Sequence, residues 1–349
     1  MSSGMELFGA LLSGQIPERV PIICNLVDQG ARELGVSLRD YYASGELVSE
    51  GQLRLREKYG YDTLLGMFYA ALEAEILGCD NIIYAEDGPP NVGQLVIRNA
   101  SDIPRLQIPD DPREHPRFRE LLRCIGLLKK GADGRYPVLA PVTASFSLPA
   151  MLMGIGAWIE LFLTGDSANR ELLLEKCSRF CALQIAALRE AGADLIVYVN
   201  PVASATFITL SQFRRMALPW VARDLGASGP AGIVYFNGGG RINPMLADLQ
   251  QSTGIGAYYL NPFDDIAEAK QILAGRGLVA GAINDIRLID WSPAEIDQEV
   301  AQIMATGKAG GGFLFGTLLM PYAIPEENIK TMMAAAMRHG RYASENGHV

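Results

Sequence analysis

Histidine is almost missing from this chain, with three in 349 residues. His115 stands in a proline-rich stretch, and His339 and His348 lie near the C-terminus. None follows an apolar run, so a zinc centre, which needs three or four converging Cys or His side chains, has nothing to assemble from. Cysteine is sparse and odd in number: Cys24, Cys79, Cys124, Cys177 and Cys181. Cys177 and Cys181 share a helix face, but two thiols without further ligands read as buried core residues. No disulfide framework and no apolar leader is evident, which points to a reducing, cytoplasmic setting. Apolar stretches break at Gly, Pro or charge well before the roughly 20 residues of a membrane span. Positive charge is in deficit too. Thirty Lys and Arg face 39 Asp and Glu, for a net charge of -9, which excludes a phosphate-tracking nucleic-acid surface. No G-x-S-x-G and no G-x-G-x-x-G opening a helix occurs, which removes the serine-esterase and dinucleotide readings.

What the chain does have is rhythm. With 49% hydrophobic residues it can bury one barrel-sized core, and residues 1–349 are expected to form a single domain. Short apolar runs start at Val20, Tyr61, Pro137, Asp194, Gly232, Gly256, Leu278 and Gly312, and helical patterns separate them. Strands alternating with helices predict βα units on a parallel sheet, and eight of them predict a closed (β/α)8 barrel. Extra helices are expected near the N-terminus. Residues 80–116 are expected to form an inserted hairpin and a surface excursion, because breakers and acids cluster at Glu86-Asp87-Gly88-Pro89-Pro90 and four prolines fall in Ser101–Pro116. The Met- and Gly-rich stretch Phe146–Trp158 suits either ordinary core packing or a mobile apolar wall.

The expected strand ends share a chemistry. They read Asn25, Thr143, Asn200, Asn237, Asn261, Asn284 with Asp285, and Thr317. Any one Asn also suits a helix N-cap or turn. Together, at the barrel's carboxyl end where ligand-binding side chains gather, they predict a ring of amides for a planar heterocycle such as a pterin, since a primary amide sets an acceptor beside a donor. Asn237 is followed by Gly238-Gly239-Gly240, read as a close backbone approach, and by Arg241, which could meet a carboxylate.

Several stretches carry a family likeness: Leu72-Glu73-Ala74-Glu75-Ile76-Leu77-Gly78-Cys79, Gly192-Ala193-Asp194 leading to Asn200-Pro201-Val202-Ala203-Ser204, the Asn237-Gly238 turn, and Pro321 with Pro325-Glu326-Glu327-Asn328-Ile329. On these, nearly the whole chain resembles the uroporphyrinogen decarboxylase superfamily and, within it, the corrinoid-dependent methyltransferases. Thiol-methylating members hold zinc with a His-x-Cys at the end of the fifth strand and a further Cys after the eighth. Here those positions are Tyr235, Asn237 and about Leu318, so the resemblance implies no metal. It is strongest to zinc-free members that move methyl between a methylcorrinoid and tetrahydrofolate in glycine betaine catabolism. The resemblance therefore implies a corrinoid protein as partner, tetrahydrofolate as methyl acceptor and a homodimer. Asn200, Asn237, Glu86 and Asp87 are then the expected catalytic residues, the acids and Asp285 being candidates for the departing N5 proton. Asn25, Thr143, Asn261, Asn284, Asp285 and Arg241 are the expected folate- and corrinoid-binding residues. Two other readings stay open: a decarboxylase acting on a tetrapyrrole, against which the absence of an Arg-rich motif in Pro21–Tyr41 counts, and a non-catalytic corrinoid- or folate-binding barrel.

Overall fold

In the computed structural model, which describes residues 2–342, eight parallel strands form one sheet that closes on itself. These are β1 (Ile22–Asn25), β2 (Leu64–Leu65), β5 (Val138–Thr143), β6 (Leu195–Val199), β7 (Ile233–Phe236), β8 (Ala257–Tyr259), β9 (Leu278–Ile283) and β10 (Phe313–Leu319), ordered β1-β10-β9-β8-β7-β6-β5-β2. β3 (Ile82–Ile83) and β4 (Asn91–Val92) form the separate antiparallel pair expected of the insertion. The rest of that excursion is two short 3-10 turns, Ala100–Arg105 and Pro112–Glu114. His348 lies outside the described residues.

Helix boundaries follow local chemistry. Gly4–Leu12 and Pro293–Lys308 both open with a capping box, Ser3 with Glu6 and Ser292 with Glu295, and the second also carries Pro at its first position. Among the extra helices expected near the N-terminus, the stretch Ser37–Tyr59 forms two, Leu38–Ala43 and Gly45–Tyr59. Ser44 takes an extended conformation and its hydroxyl accepts from the Leu47 N–H, so it caps the second helix. An unexpected helix, Gln29–Leu34, precedes them. The stretch Phe146–Trp158 is also split at Gly154, and its aromatic side chains pack in the core. Phe146, Trp158 and Phe162 are fully buried with ring centroids 5.0–5.9 Å apart, and the Trp158 indole donates to the Phe146 carbonyl at 3.0 Å. The Phe146 ring meets both Trp158 and Phe162 edge to face, the arrangement aromatic pairs favour.

Two rows of side chains line each strand. Tyr198, Tyr235 and Tyr258 are register partners on β6, β7 and β8. Tyr198 donates to Asp224 on the helix Leu218–Leu225 at 2.6 Å, so this row faces the helix layer. The next row, Val199, Phe236 and Tyr259, faces the lumen. The Tyr259 hydroxyl passes over the intervening strand to donate to the Thr317 carbonyl on β10 at 2.6 Å. Gly316 makes room for it, because a Cβ there would stand 2.0 Å from that hydroxyl oxygen.

The β1–β2 seam has no ladder of its own. Asp62, just before β2, accepts from the Ile22 N–H at 2.8 Å while its own N–H donates to the Ile22 carbonyl at 2.9 Å. Its carboxylate also takes a bidentate pair from Arg19 at 2.6 and 2.7 Å, and both residues are buried. Replacing Asp62 by Ala strands a buried guanidinium and a strand N–H. The expected cost is about 3–5 kcal/mol in urea unfolding, and a loss under 1 kcal/mol would show that the seam holds without it.

Candidate active site

The carboxyl ends of the strands form the mouth, and the face each side chain takes there follows from its parity along the strand. Thr143 pairs with Val199 and so lies on the lumen row. Asn25 joins it from β1, its amide donating to the Thr317 carbonyl at 2.7 Å and lying 3.5 Å from the Tyr259 hydroxyl. Asn284 and Asp285 follow β9. The Asn284 carbonyl oxygen accepts from the Arg287 N–H at 3.2 Å, which makes it a turn residue as well as a half-buried mouth residue.

Asp285 is the most perturbed of the predicted site residues. It is buried, its carboxyl accepts from the neighbouring Ile286 N–H at 3.1 Å, and burial pushes that carboxyl up to about 6. No cation offsets the loss of water, so desolvation dominates.

Asn200 and Asn237 fall elsewhere. They sit two residues past Tyr198 and Tyr235 and continue the helix-facing row, almost wholly buried. The Asn200 carbonyl oxygen accepts from the Ser147 hydroxyl at 2.7 Å and its NH2 donates to the Tyr235 hydroxyl at 3.1 Å. The Asn237 NH2 donates to the Gly240 carbonyl at 2.5 Å. The expected ring of five equivalent amides is thus a correction: Asn25 and Asn284 border the lumen, and Asn200 and Asn237 lie behind it. Asn261 is committed to its loop, its NH2 donating to the Gly239 carbonyl and its oxygen accepting from the Phe263 N–H at 2.8 Å. Thr317 is also displaced from a strand end, because β10 runs on to Leu319. Its hydroxyl accepts from the Asn25 N–H at 2.9 Å.

The expected acids Glu86 and Asp87 lie exposed in the loop between β3 and β4, without an ion pair or side-chain hydrogen bond among the described residues. Hydropathy alone could not distinguish such a solvated turn from a mouth loop. Arg241 is exposed beside the mouth, its Nε 3.8 Å from Asp264. Asp264, absent from the expected set, is the anchor of this corner: its carboxylate accepts from the backbone N–H groups of Ile242, Asn243 and Asn261 at 3.0–3.2 Å. Glu73 was also missed. It is buried, accepts from the Thr143 N–H at 2.9 Å and keeps its other oxygen without a partner, and burial raises its carboxyl above the usual range. Its place in the motif Leu72–Cys79 was the available signal.

The positions expected to correspond to zinc ligands do not offer a zinc donor set. Tyr235 faces the helix layer, Asn237 holds a carbonyl and Leu318 is aliphatic, whereas zinc takes thiolate, imidazole or carboxylate. Among the described residues no three Cys, His, Asp or Glu side chains gather as a metal site. All five cysteines are buried and unpaired.

The uroporphyrinogen decarboxylase (URO-D) family model matches residues 3–339. The chain belongs to this family. Its URO-D relatives include the methylcobamide:CoM methyltransferase MtaA of Methanosarcina barkeri, 22% identical over 93% of this chain and 95% of the relative. They also include the uroporphyrinogen decarboxylase of Chlorobium phaeovibrioides, 27% identical over 82% and 83%. The URO-D barrel superposes on a solved methyltransferase from Methanosarcina mazei with a TM-score of 0.83, covering 97% of this chain and 99% of that one at 17% identity. The eight-stranded barrel expected from the rhythm of the chain, and expected to be URO-D-like from the resemblance, is therefore the fold observed. Among the described residues no helix is long and apolar enough to cross a membrane.

Two outcomes test the placement of these residues. Asn200→Ala leaves the Ser147 hydroxyl without an acceptor and the Tyr235 hydroxyl without its donor, and should lower stability by about 1–3 kcal/mol in denaturant titration; an unchanged midpoint would put the amide in solvent. For Asp285, the folded carboxyl titrates above its unfolded value near 3.9. Its stabilising, protonated state is fully present below that value and is lost as pH rises through about 6. Asp285→Asn should therefore match the native chain at pH 4 and exceed it by on the order of 2–3 kcal/mol above pH 7. Parallel unfolding curves across that range would count against a buried carboxyl.

Proposed function

We propose that this URO-D family member moves a methyl group from a methylated corrinoid, presented by a corrinoid protein, to N5 of tetrahydrofolate, without zinc. The observation that carries the reading is that Tyr235, Asn237 and Leu318, which the resemblance puts at the zinc-ligand positions of thiol-methylating members, include no zinc donor. No donor set is present there to turn a thiol into a thiolate, so the acceptor must already be a nucleophile. N5 of tetrahydrofolate has a free lone pair and needs only alignment. The methylcobamide:CoM methyltransferases among the relatives support a corrinoid donor.

The corrinoid supplies an electrophilic methyl group. As the new N–C bond forms, the cobalt–carbon pair stays with cobalt and the N5 proton must leave. Asp285 is the acceptor this reading assigns, because its carboxyl is buried at the mouth and burial pushes it up to about 6, toward the range an effective general base requires. Asn25, Thr143 and Asn284 offer amide and hydroxyl groups along the lumen for the pterin, and Arg241 a guanidinium for a folate carboxylate. Phe207, Phe263, Ile286 and Leu319 are exposed apolar side chains on or beside the β6, β8, β9 and β10 loops. Phe263 and Ile286 are 72% and 66% accessible, a surface suited to an apolar macrocycle and its carrier. A homodimer remains part of this reading through the family likeness.

The tetrapyrrole decarboxylase reading has the Chlorobium relative in its favour. It requires guanidiniums free to meet several carboxylates. Arg32 instead donates to the Tyr322 carbonyl and stacks 4.0 Å from that ring, and Arg39 lies 4.4 Å from the Tyr84 ring.

With methylcobalamin as donor, the purified chain should methylate tetrahydrofolate after exhaustive chelation and give essentially no product with coenzyme M or homocysteine, thiols mostly protonated at neutral pH. Its rate should rise with pH through about 6 and lose on the order of 10²-fold in Asp285→Asn. One tightly held zinc per chain, or thiol methylation rivalling that of folate, overturns the proposal.

A further inference from the structure

β2 is the shortest strand of the barrel, and a carboxylate completes each of its seams. On one side Asp62 takes the Ile22 N–H. On the other, β2 meets β5 only at Leu64 with Val138 and Leu65 with Leu139, and the Gly66 N–H adds a last rung to the Leu139 carbonyl at 2.7 Å. β5 runs on to Thr143, so residues 140–143 have register partners on β6 alone. Successive N–H groups of a strand point to opposite neighbours. The Ala144 N–H donates to the Val199 carbonyl next to β6 at 2.9 Å, so positions 141 and 143 face the side that β2 does not reach.

Position 141 is Pro141, which has no N–H to satisfy and suits an unpaired edge. Position 143 has one. The Glu73 carboxyl, from the helix Leu72–Ile76 that follows β2, accepts it at 2.9 Å. Both residues are buried, so the contact spares a cost of about 1–3 kcal/mol for an unmet N–H. The Ser145 N–H donates to the buried Asp224 at 2.9 Å. The end of β5 is thus held by β6, by Asp224 and, on the β2 side, by Glu73. Thr143 lies on the lumen row, and its hydroxyl faces the same Glu73 carboxyl. Burial raises that carboxyl above its usual range, so the place selects an acceptor of this reach more than a charge.

We infer that Glu73 is a positioning residue for the acceptor: it stands in for the missing length of β2 and fixes the Thr143 hydroxyl at the lumen rim. This rests on the folate reading, in which that hydroxyl meets the pterin. Glu73 touches no reacting atom and acts through Thr143. Its reach decides, and its charge does not.

Steady-state methylation of tetrahydrofolate by methylcobalamin tests this on the native chain, Glu73→Gln, Glu73→Asp, Thr143→Val and the double variant Glu73→Asp with Thr143→Val. Glu73→Asp, one methylene too short, should raise KM for tetrahydrofolate about tenfold with kcat nearly held. Glu73→Gln keeps the length and an acceptor oxygen, and should stay within about threefold of the native KM. Thr143→Val should match Glu73→Asp, and the double variant should be no worse than either, because both act on one contact. The rise of rate through about pH 6 should persist in every variant, since Asp285 sets it. A native KM in Glu73→Asp, a loss in Glu73→Gln equal to that in Thr143→Val, additive losses in the double variant or a displaced pH midpoint overturns the positioning role and leaves the folate reading standing. Should Glu73→Asp fail to fold, Glu73→Gln against Thr143→Val decides. Failure of the native chain to methylate tetrahydrofolate removes both.

Discussion

Closure of the sheet depends on one carboxylate. Eight parallel strands make a barrel only if the last seam is joined, and here the two strands at that seam are short and share no regular ladder. Asp62 supplies the missing hydrogen bond to Ile22 and ties down Arg19 in the same stroke. A buried ion pair is a weak source of stability by itself, since desolvation offsets most of the attraction. Its use at this place is geometric: it sets where β1 meets β2, and so where Asn25 stands relative to Tyr259 and Thr317.

The second constraint is parity. In a parallel barrel every residue faces either the lumen or the helices, and a shift of one position exchanges the two. The helix-facing tyrosines at 198, 235 and 258 thus decide the fate of the amides two positions later. Asn200 and Asn237 become part of the wall between strand and helix, where Asn200 engages both ends of its amide and Asn237 its NH2. The lumen keeps the residues of opposite parity, smaller and less polar in the middle of the barrel, with its polar groups confined to the rim.

Most of the architecture was legible in the sequence because it is written in periodicity. Every one of the eight strands lies within or beside an apolar run that a buried parallel strand requires, and the insertion is marked by its breakers. Boundaries were less legible: Ser44 and Gly154 each cut one helical pattern into two for reasons of local backbone conformation, which hydropathy does not carry. At the mouth, the residue types at strand ends could be read but not their facing, although the Tyr-x-Asn spacing at 198–200 and 235–237 held the parity needed to infer it. Asp264 and Glu73 were harder still. Their partners are backbone N–H groups far along the chain or in neighbouring loops, and such contacts leave no pattern in composition or spacing.

Tyr259 has a consequence for traffic. Its ring crosses from β8 to the Thr317 carbonyl, and the lumen beneath it is filled by buried aliphatic side chains such as Ile23 and Leu314, so nothing passes through the barrel from end to end. The mouth is a single doorway. Under the proposed reading, with a folate and a protein-borne corrinoid as reactants, one doorway would impose a queue: the smaller seated before the larger covers it, and the methylated product released only after the carrier withdraws. The plug of one tyrosine thereby makes the order of events a property of the fold.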